Sequence, residues 1–389
     1  MGFYLVFTYT FCFLLVFLSP LDNNRISSVQ LRGSTKSYYT SQSLSLKTTI
    51  PSAIWFALIL VLIIILGMRG VATGDYYAYS DLFLSVNSGY TIVHPEKSNY
   101  LFDWLCRIVF LLGGSFNLVF LVSACITIVF FSKGLQYTCT NRFLFLALFL
   151  LSFQYYDLFN IVRQGIVDSI GFYVLCRVLY GSSIGVKKRV FFFLLLCFCS
   201  LVHTTGIFFV LLFLIICFRK KEVPLLFEIA LLVLVSVISS FLASNESFSN
   251  MLTIVFGATW RAGKYNVEME LGAREIGEGI VGIVIWILYR FKSNTREQKW
   301  LGFLTWAFVT TRFMTTNIRI MYRIADCLVP FYLLALLDLP SLFTDRIVKI
   351  LIRCFSFLFY VIFFYFKVKG YTSFHGYFMI NPAELFMAV

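Results

Sequence analysis

The sequence predicts an all-α fold, a polytopic transmembrane helical bundle, and three observations carry that prediction. Hydrophobic residues make up 60% of the chain and aromatic residues 19%, while charged residues are only 13%. Mean hydropathy is +0.85, far above a soluble average. The apolar residues fall in runs too long and too many for one buried core, without the alternation that barrel strands need. No internal repeat or low-complexity tract interrupts the pattern, so residues 1–389 read as a single polytopic membrane domain.

The runs give about twelve spans at roughly 20 apolar residues per crossing, several of them short. They are Phe3 to Ser19, Ser52 to Met68, Ser115 to Ser132, Phe143 to Tyr156, Gln164 to Tyr180, Val190 to Val202, Gly206 to Phe218, Leu225 to Ala243, Ile276 to Tyr289, Trp300 to Phe313, Met321 to Leu337 and Ile350 to Phe366. The pair flanking His203 lies between Lys187-Lys188-Arg189 and Arg219-Lys220-Lys221. Both basic clusters share one side only if the chain turns back near His203, which predicts a helical hairpin there.

Basic residues orient the bundle, because Lys and Arg accumulate in short cytoplasmic loops. Arg25, Arg32, Lys36 and Lys47 place the first loop inside, and Lys133 with Arg142, the two clusters above, Arg290 to Lys299 and Arg346 to Arg353 follow at alternate loops. Both termini then lie on the outer face. The net charge of +13 is this topological signal, which argues against a nucleic-acid partner. The first apolar stretch reads as an uncleaved anchor, since no basic residue precedes it as a signal peptide requires.

Metal chemistry is not indicated. Cysteines at 12, 125, 176, 197, 199, 217, 327 and 354 lie in or beside spans and read as packing residues. No Cys-x-x-Cys or His-Glu-x-x-His spacing occurs, so neither a zinc site nor another metal or cofactor is expected.

Polar groups gather instead at outer span ends. Arg69-Gly-Val-Ala-Thr-Gly-Asp75-Tyr76-Tyr-Ala-Tyr79 closes an uncharged run and sets an arginine, a carboxylate and tyrosines at a span mouth. His94-Pro-Glu96-Lys-Ser-Asn-Tyr100 follows and leads into residues 101–112, too short to span and amphipathic, hence an interfacial helix on which Asp103 and Arg107 share a face. A second group runs from Asp157 through Arg163 and Gln164 to Asp168, and a third joins Arg312 to Arg319, Tyr322, Arg323 and Asp326.

Arginines at such depth are costly and carry a task, structural or functional. Arg323 sits three residues before Asp326, which suits a local ion pair as well as a ligand contact, whereas Arg163 and Arg319 have no obvious local partner. Arg69 could snorkel to headgroups, and His203 could bond a backbone carbonyl. The tyrosines also fit an aromatic belt. The outer loop at 244–275 mixes Trp260, Arg261, Lys264 and Tyr265 with Glu268, Glu270 and Glu275, a composition suited to a saccharide or to plain solvation.

Taken in order, these motifs resemble the EpsG-type or Wzy-type polysaccharide polymerases of the bacterial inner membrane. Arg69, Asp75, Tyr76 and Tyr79 resemble an arginine followed by a Gly-x-Asp-Tyr-x-x-Tyr-like stretch, with Gly74 here directly before Asp75. Arg163-Gln164 resembles an Arg-Gln pair opening a span, His203-Thr-Thr-Gly206 a histidine at an outer hairpin, and Arg319 with Tyr322, or else Arg323, a late arginine and tyrosine. Glu96 stands in Pro-Glu-Lys-Ser-Asn-Tyr rather than the commoner Glu-x-Gly-Tyr, a departure from the pattern.

The resemblance implies transfer of a growing glycan from polyprenyl pyrophosphate to a new lipid-linked repeat unit at the periplasmic face. Arg69, Arg163, Arg319 and Arg323 would contact the pyrophosphate, because the planar guanidinium grips phosphate oxygens bidentately. Gln164 and the tyrosines Tyr76, Tyr79 and Tyr322 would contact substrate. Asp75, Glu96 and His203 are the candidate catalytic bases. The implied partners are the lipid-linked glycan, membrane lipids and a chain-length regulator protein. A flippase for the same lipid, another polyprenyl-linked glycosyltransferase and an O-antigen ligase stay open as alternatives.

Overall fold

The computed structural model describes residues 2–22, 45–70, 75–89, 99–138, 140–181, 184–218, 273–314, 320–370, 379–380 and 382–386, with isolated positions between 225 and 233. Glu96, Arg319 and residues 244–272 of the long loop lie outside the described residues.

Every named element is helical. In chain order they are α1 (Gly2–Leu18), α2 (Ser45–Gly67), α3 (Asp75–Ser88), α4 (Tyr100–Leu111), α5 (Phe116–Leu135), α6 (Arg142–Leu151), the single turn α7 (Gln154–Asp157), α8 (Val162–Tyr180), α9 (Val186–Ser200), α10 (Thr205–Phe218), α11 (Ala273–Lys292), α12 (Arg296–Met314), α13 (Ile320–Asp338) and α14 (Arg346–Gly370). No strand forms among the described residues, only an isolated antiparallel bridge between Arg69 and Met379.

Each expected span except Phe143 to Tyr156, and except Leu225 to Ala243, most of which lies outside the described residues, coincides with a helix. Among the described residues, four stretches are long and apolar enough to cross a membrane: Gly2–Asp22, Phe116–Leu135, Met321–Leu342 and Arg346–Lys369. Pro51–Gly67, Arg142–Leu151 and Thr205–Phe218 are shorter apolar helices. These four are fewer than the expected twelve for a readable reason. Helix α8 carries Arg163, Asp168 and Arg177, while α9 opens on Lys187-Lys188-Arg189, so neither presents an uncharged crossing length.

One expectation is corrected. The stretch Phe143 to Tyr156 is not one continuous helix, because Phe153 adopts φ 69° and separates α6 from α7. A non-glycine residue there carries about 1–3 kcal/mol of backbone strain. Aromatic packing holds the residue in place, with the Phe153 ring 5.4 Å from Tyr156 and 5.9 Å from Phe364. The polar stretch Arg69 to Tyr79 runs into helix α3, to which the sequence reading assigned no element and which Asp75 opens with a carboxylate in the first turn.

The described chain divides into two compact units, Met1–Phe213 with Phe355–Val389, and Leu214–Cys354. In the first unit, helix directions follow the charge alternation. Helices α1 and α6 run antiparallel: Asn141 Nδ2 donates to Ser19 O at 2.7 Å, and Cys12 Sγ donates to Ala147 O at 3.5 Å. Arg142 Nη2 pairs with buried Asp22 at 2.9 Å at the end that the basic residues mark as inner. Trp55 Nε1 donates to Ser132 Oγ at 2.9 Å, joining the inner ends of α2 and α5. Helix α8 runs parallel to α5, with Gly165 beside Thr127 at one end and the Arg177 guanidinium 4.9 Å from the Tyr137 ring at the other. The C-terminal end of α2 and the N-terminal ends of α5 and α8, which the basic loops mark as outer, therefore meet.

Helices α9 and α10 form the hairpin expected at His203, whose carbonyl accepts from Gly206 N at 2.9 Å. Glycine is required at 206 because a Cβ would lie 2.6 Å from Ser200 Cα and 2.8 Å from the Cys199 carbonyl carbon, both backbone atoms. Gly206→Val should destabilise the protein by more than about 2 kcal/mol through overpacking and a forced backbone shift. A thermal unfolding midpoint unchanged in detergent would contradict this hairpin geometry.

In the second unit α12 packs against both α11 and α13. Phe308 stacks on Tyr332 at 4.6 Å, and Tyr289 donates to Ala335 O at 2.9 Å. Buried Glu228 accepts from Trp286 Nε1 at 3.1 Å and, through its backbone carbonyl, from Trp306 Nε1 at 3.3 Å.

Candidate functional site

Within the first unit the end of α2 and the starts of α3, α5 and α8 bring together five of the residues singled out in the sequence, Arg69, Tyr76, Tyr79, Arg163 and Gln164, and a backbone bond from α4 ties the nearby turn that carries His203. Aromatic rings organise them. The Arg69 guanidinium lies 4.1 Å above the Phe120 ring, which is strong cation–π geometry. Tyr79 packs edge-on against both Phe120 at 5.8 Å and Phe102 at 5.7 Å. Phe102 in turn sits 6.0 Å beneath the Arg163 guanidinium. A row of rings thus separates two buried arginines, 2% and 4% exposed.

Arg69 holds this end together. Its Nη1 donates to Leu66 O at 2.6 Å and its Nη2 to Phe159 O at 2.9 Å, tying the last turn of α2 to the turn before α8. A helix ends with carbonyls that lack intrahelical donors, and a planar guanidinium can satisfy one while reaching a second strand of chain. Arg69 is therefore a structural post as well as a cation, and it does not snorkel. A void of ≈ 10 Å³ adjoins it, lined by Ser123, Thr127, Leu158, Val162 and Gly165 among others. That is room for about one water.

Tyr76 projects from the first turn of α3 and donates to Asn117 Oδ1 at 3.1 Å. Its ring meets Phe116 at 5.1 Å and Phe120 at 5.7 Å. Burial, with the negative charge of Glu384 adding to it, pushes the Tyr76 phenol above its ordinary pKa, against smaller opposing effects of Asn117 and Arg69. Tyr76 is thus a neutral hydrogen-bond donor at any physiological pH. Asp75 is only partly buried and opens the helix on which Tyr76 and Tyr79 stand.

Helix α8 contributes its first turns. Gln164 Nε2 donates to Asp168 Oδ2 at 3.3 Å, and the two residues are 1% and 2% exposed. His203 stands at the hairpin apex, half-buried, where its Nδ1 accepts from Thr205 N at 3.3 Å and lies 2.9 Å from Thr205 Oγ1. Accepting from a backbone amide commits Nδ1 as the unprotonated nitrogen, so the neutral ring carries its proton on Nε2. His203 does not bond a backbone carbonyl through that nitrogen; it caps α10 instead. The apex is tied to α4, because Leu101 N donates to Leu201 O at 3.4 Å.

The end of the chain also reaches this site, which nothing in the sequence pattern announced. Ile380 N donates to Met68 O at 2.9 Å, Ser115 N donates to Leu385 O at 2.8 Å and Ser115 Oγ to Glu384 O at 2.5 Å. The residues that sequence reasoning missed are Asn117, Phe102, Phe120 and this returning segment. Asn117 alone left a trace, as a polar residue near the start of an apolar run.

The third polar group belongs to the second unit. Arg312 donates to Glu278 Oε2 at 3.2 Å and lies 3.6 Å from Asp326 Oδ1, with Tyr322 beneath its guanidinium at 5.1 Å. Asp326 thus faces Arg312, where the sequence suggested a local pair with Arg323. Glu278 was also missed, although a lone carboxylate inside an apolar run was its visible sign. Tyr322 and Arg323 lie in the same unit, at the start of α13.

Among the described residues no group of His, Cys, Asp and Glu side chains could hold a metal ion. Every described cysteine is a free thiol, and burial pushes the Cys106 thiol up to about 12. The site's means are cations, hydrogen-bond donors, carboxylates and aromatic faces, which suit an anionic, hydroxyl-rich ligand.

No curated protein and no solved structure matches the chain. The family model described as the EpsG family matches residues 52–381, from the start of the second apolar run to the returning C-terminal segment. With apolar helices long enough to cross a bilayer, this is a membrane protein of the EpsG family, a family associated with glycosyltransferase-like polymerases of polysaccharide biosynthesis.

Proposed function

We propose that this protein polymerises oligosaccharide repeat units carried on polyprenyl pyrophosphate, at the periplasmic face of the bacterial inner membrane, for O-antigen, capsule or exopolysaccharide. The observation that supports it best is the outer-end cluster of the first unit. Two arginines, a row of aromatic rings, a neutral tyrosine donor and a histidine apex are gathered where three helix ends meet. In this reading the chain crosses the bilayer about twelve times, and the basic loops are cytoplasmic.

The reaction forms a bond from an acceptor hydroxyl oxygen to the anomeric carbon of the donor and breaks the bond from that carbon to pyrophosphate. Cationic groups must hold the departing pyrophosphate, and a base must take the hydroxyl proton. Arg163 takes the first task in this reading, and Arg319 and Arg323 are the other candidate cations named from the sequence. Arg69 frames the site through its carbonyl bonds and can meet phosphate only by exchanging one of them. Asp75, Glu96 and His203 are the candidate bases. Tyr76, Tyr79 and Tyr322 offer rings and hydroxyls to sugar. The arginines supply the charge that a metal supplies in nucleotide-sugar enzymes, so the reading includes no cofactor. Membrane lipids and a chain-length regulator are the proposed partners.

Deleting the gene in its host and resolving the surface polysaccharide on a gel tests this reading. Loss of the ladder with single-repeat product retained supports a polymerase. Repeat units trapped on the cytoplasmic side would indicate a flippase, and intact long chains would refute both. Complementation with Arg163→Ala should reduce product longer than one repeat at least tenfold at unchanged protein level. A normal ladder would remove Arg163 from the pyrophosphate site.

A further inference from the structure

Asp168 is a carboxylate in the first half of α8, a helix read from the sequence as a span, and none of the proposed roles uses it. Carboxylates at such positions are costly and face partners rather than lipid. Asp168 is 2% exposed, and one partner is already identified in Gln164, one turn above it on the same face of α8.

The direction of that face follows from Gly171. A Cβ built there would run into the Phe209 ring of α10, so the Gly171 side of α8 points at α10. At about 100° per residue, Gln164 lies about 20° from Gly171 around the helix and Asp168 about 60°. All three share the stripe directed at α10. On α10 itself Thr205 lies one turn before Phe209, about 40° away, and both are buried.

The levels match as well. Helix α9 returns against α8, with Phe192 6.2 Å from Tyr173, and the hairpin reverses again, so α10 runs parallel to α8. Asp168 stands about 4.5 Å above Gly171, and Thr205 about 6 Å above Phe209, at 1.5 Å per residue. The α4 contacts agree independently. Leu101 bonds the hairpin turn while its neighbour Phe102 faces Arg163, so the start of α8 and the His203 apex stand at one level.

We infer that Asp168 is a positioning residue of the proposed glycan-transfer site, a buried carboxylate that fixes the Gln164 amide and faces the His203–Thr205 turn of α10. This rests on the polymerase reading above. By holding Gln164 through its amide nitrogen, Asp168 turns the Gln164 carbonyl oxygen toward a sugar hydroxyl. Facing the His203 turn, it supplies a negative charge beside the one imidazole whose Nδ1 is already committed.

Two arms test it. In the full-length protein in membranes, Asp168→Cys combined with Thr205→Cys should be joined by a short bis-maleimide, with the linked peptides identified by mass spectrometry. Absence of that link overturns the facing geometry, whatever the protein's activity. In cells, the isosteric Asp168→Asn should reduce product longer than one repeat at least tenfold at unchanged protein level. Combining it with His203→Ala should lower product no further than His203→Ala alone, because residues in one network are non-additive. A normal ladder from Asp168→Asn, or multiplicative losses in the double variant, would overturn the positioning role. If long chains persist after gene deletion, the polymerase reading fails separately, and the cross-link still decides the geometry.

Discussion

Arg312→Ala is expected to lose the folded second unit rather than to alter its chemistry. The guanidinium bridges Glu278 and Asp326 from α12 to α11 and α13, and all three residues are 0–1% exposed. Removing the cation leaves two carboxylates close together in a buried setting. Breaking a buried ion pair from one side costs about 3–5 kcal/mol, against a total of about 5–15 kcal/mol for a typical domain. Arg312→Lys keeps the charge and gives up the fork, so an intermediate loss is expected. The triple replacement Arg312→Met, Glu278→Gln and Asp326→Asn should recover most of the stability, since it strands no charge. Protein level in membranes and the thermal unfolding midpoint in detergent measure these effects. An unchanged midpoint for Arg312→Ala would show that the triad does not bind the three helices.

Arg69→Ala is expected to loosen the outer end of the first unit. Two carbonyls lose their donor, and an orphaned buried group costs about 1–3 kcal/mol. The Phe120 ring also loses the cation above it, a contact worth about 1–2 kcal/mol when desolvated. Lysine cannot serve both carbonyls with one planar group, so Arg69→Lys should retain folded protein in part and still lose chain extension. Polymer per folded molecule separates the two tasks of this residue. If the ladder falls only in proportion to protein level, Arg69 is a post alone; a further tenfold loss places it on the phosphate as well. Normal protein level and a normal ladder from Arg69→Ala would contradict both tasks.

Sequence made the helices legible because apolar runs and basic loops are one-dimensional signals. The hairpin at His203 followed from two basic clusters, and the short helix at residues 101–112, read as interfacial, from its length, close to the observed Tyr100–Leu111. Helix α3 was not legible, since Asp75 to Ser88 alternates polar and apolar residues without a long run. The kink at Phe153 was hidden for a related reason. Its left-handed backbone is held by rings from elsewhere in the chain, and no glycine or proline marks it.

The site was half legible. Arg69, Tyr76, Tyr79, Arg163, Gln164 and His203 were all named from sequence, and one unit gathers them. Their partners were not, because each comes from a distant segment: Phe159 for Arg69, Asn117 for Tyr76, Phe102 for Arg163. Spacing along the chain suggests only local pairs, which is why Arg323 was weighed as a partner of Asp326 and the contact from Arg312 was not foreseen. The return of residues 379–386 to the ends of α2 and α5 likewise depends on contacts that no periodicity encodes.

The most direct test uses the purified full-length protein in proteoliposomes with lipid-linked repeat units as sole substrate. The account predicts pyrophosphate-linked oligomers of many repeats, one polyprenyl pyrophosphate released for each bond formed, and loss of both products with Arg163→Ala. Repeat units that cross the bilayer without being joined, or that stay unchanged while the protein is folded, would contradict it.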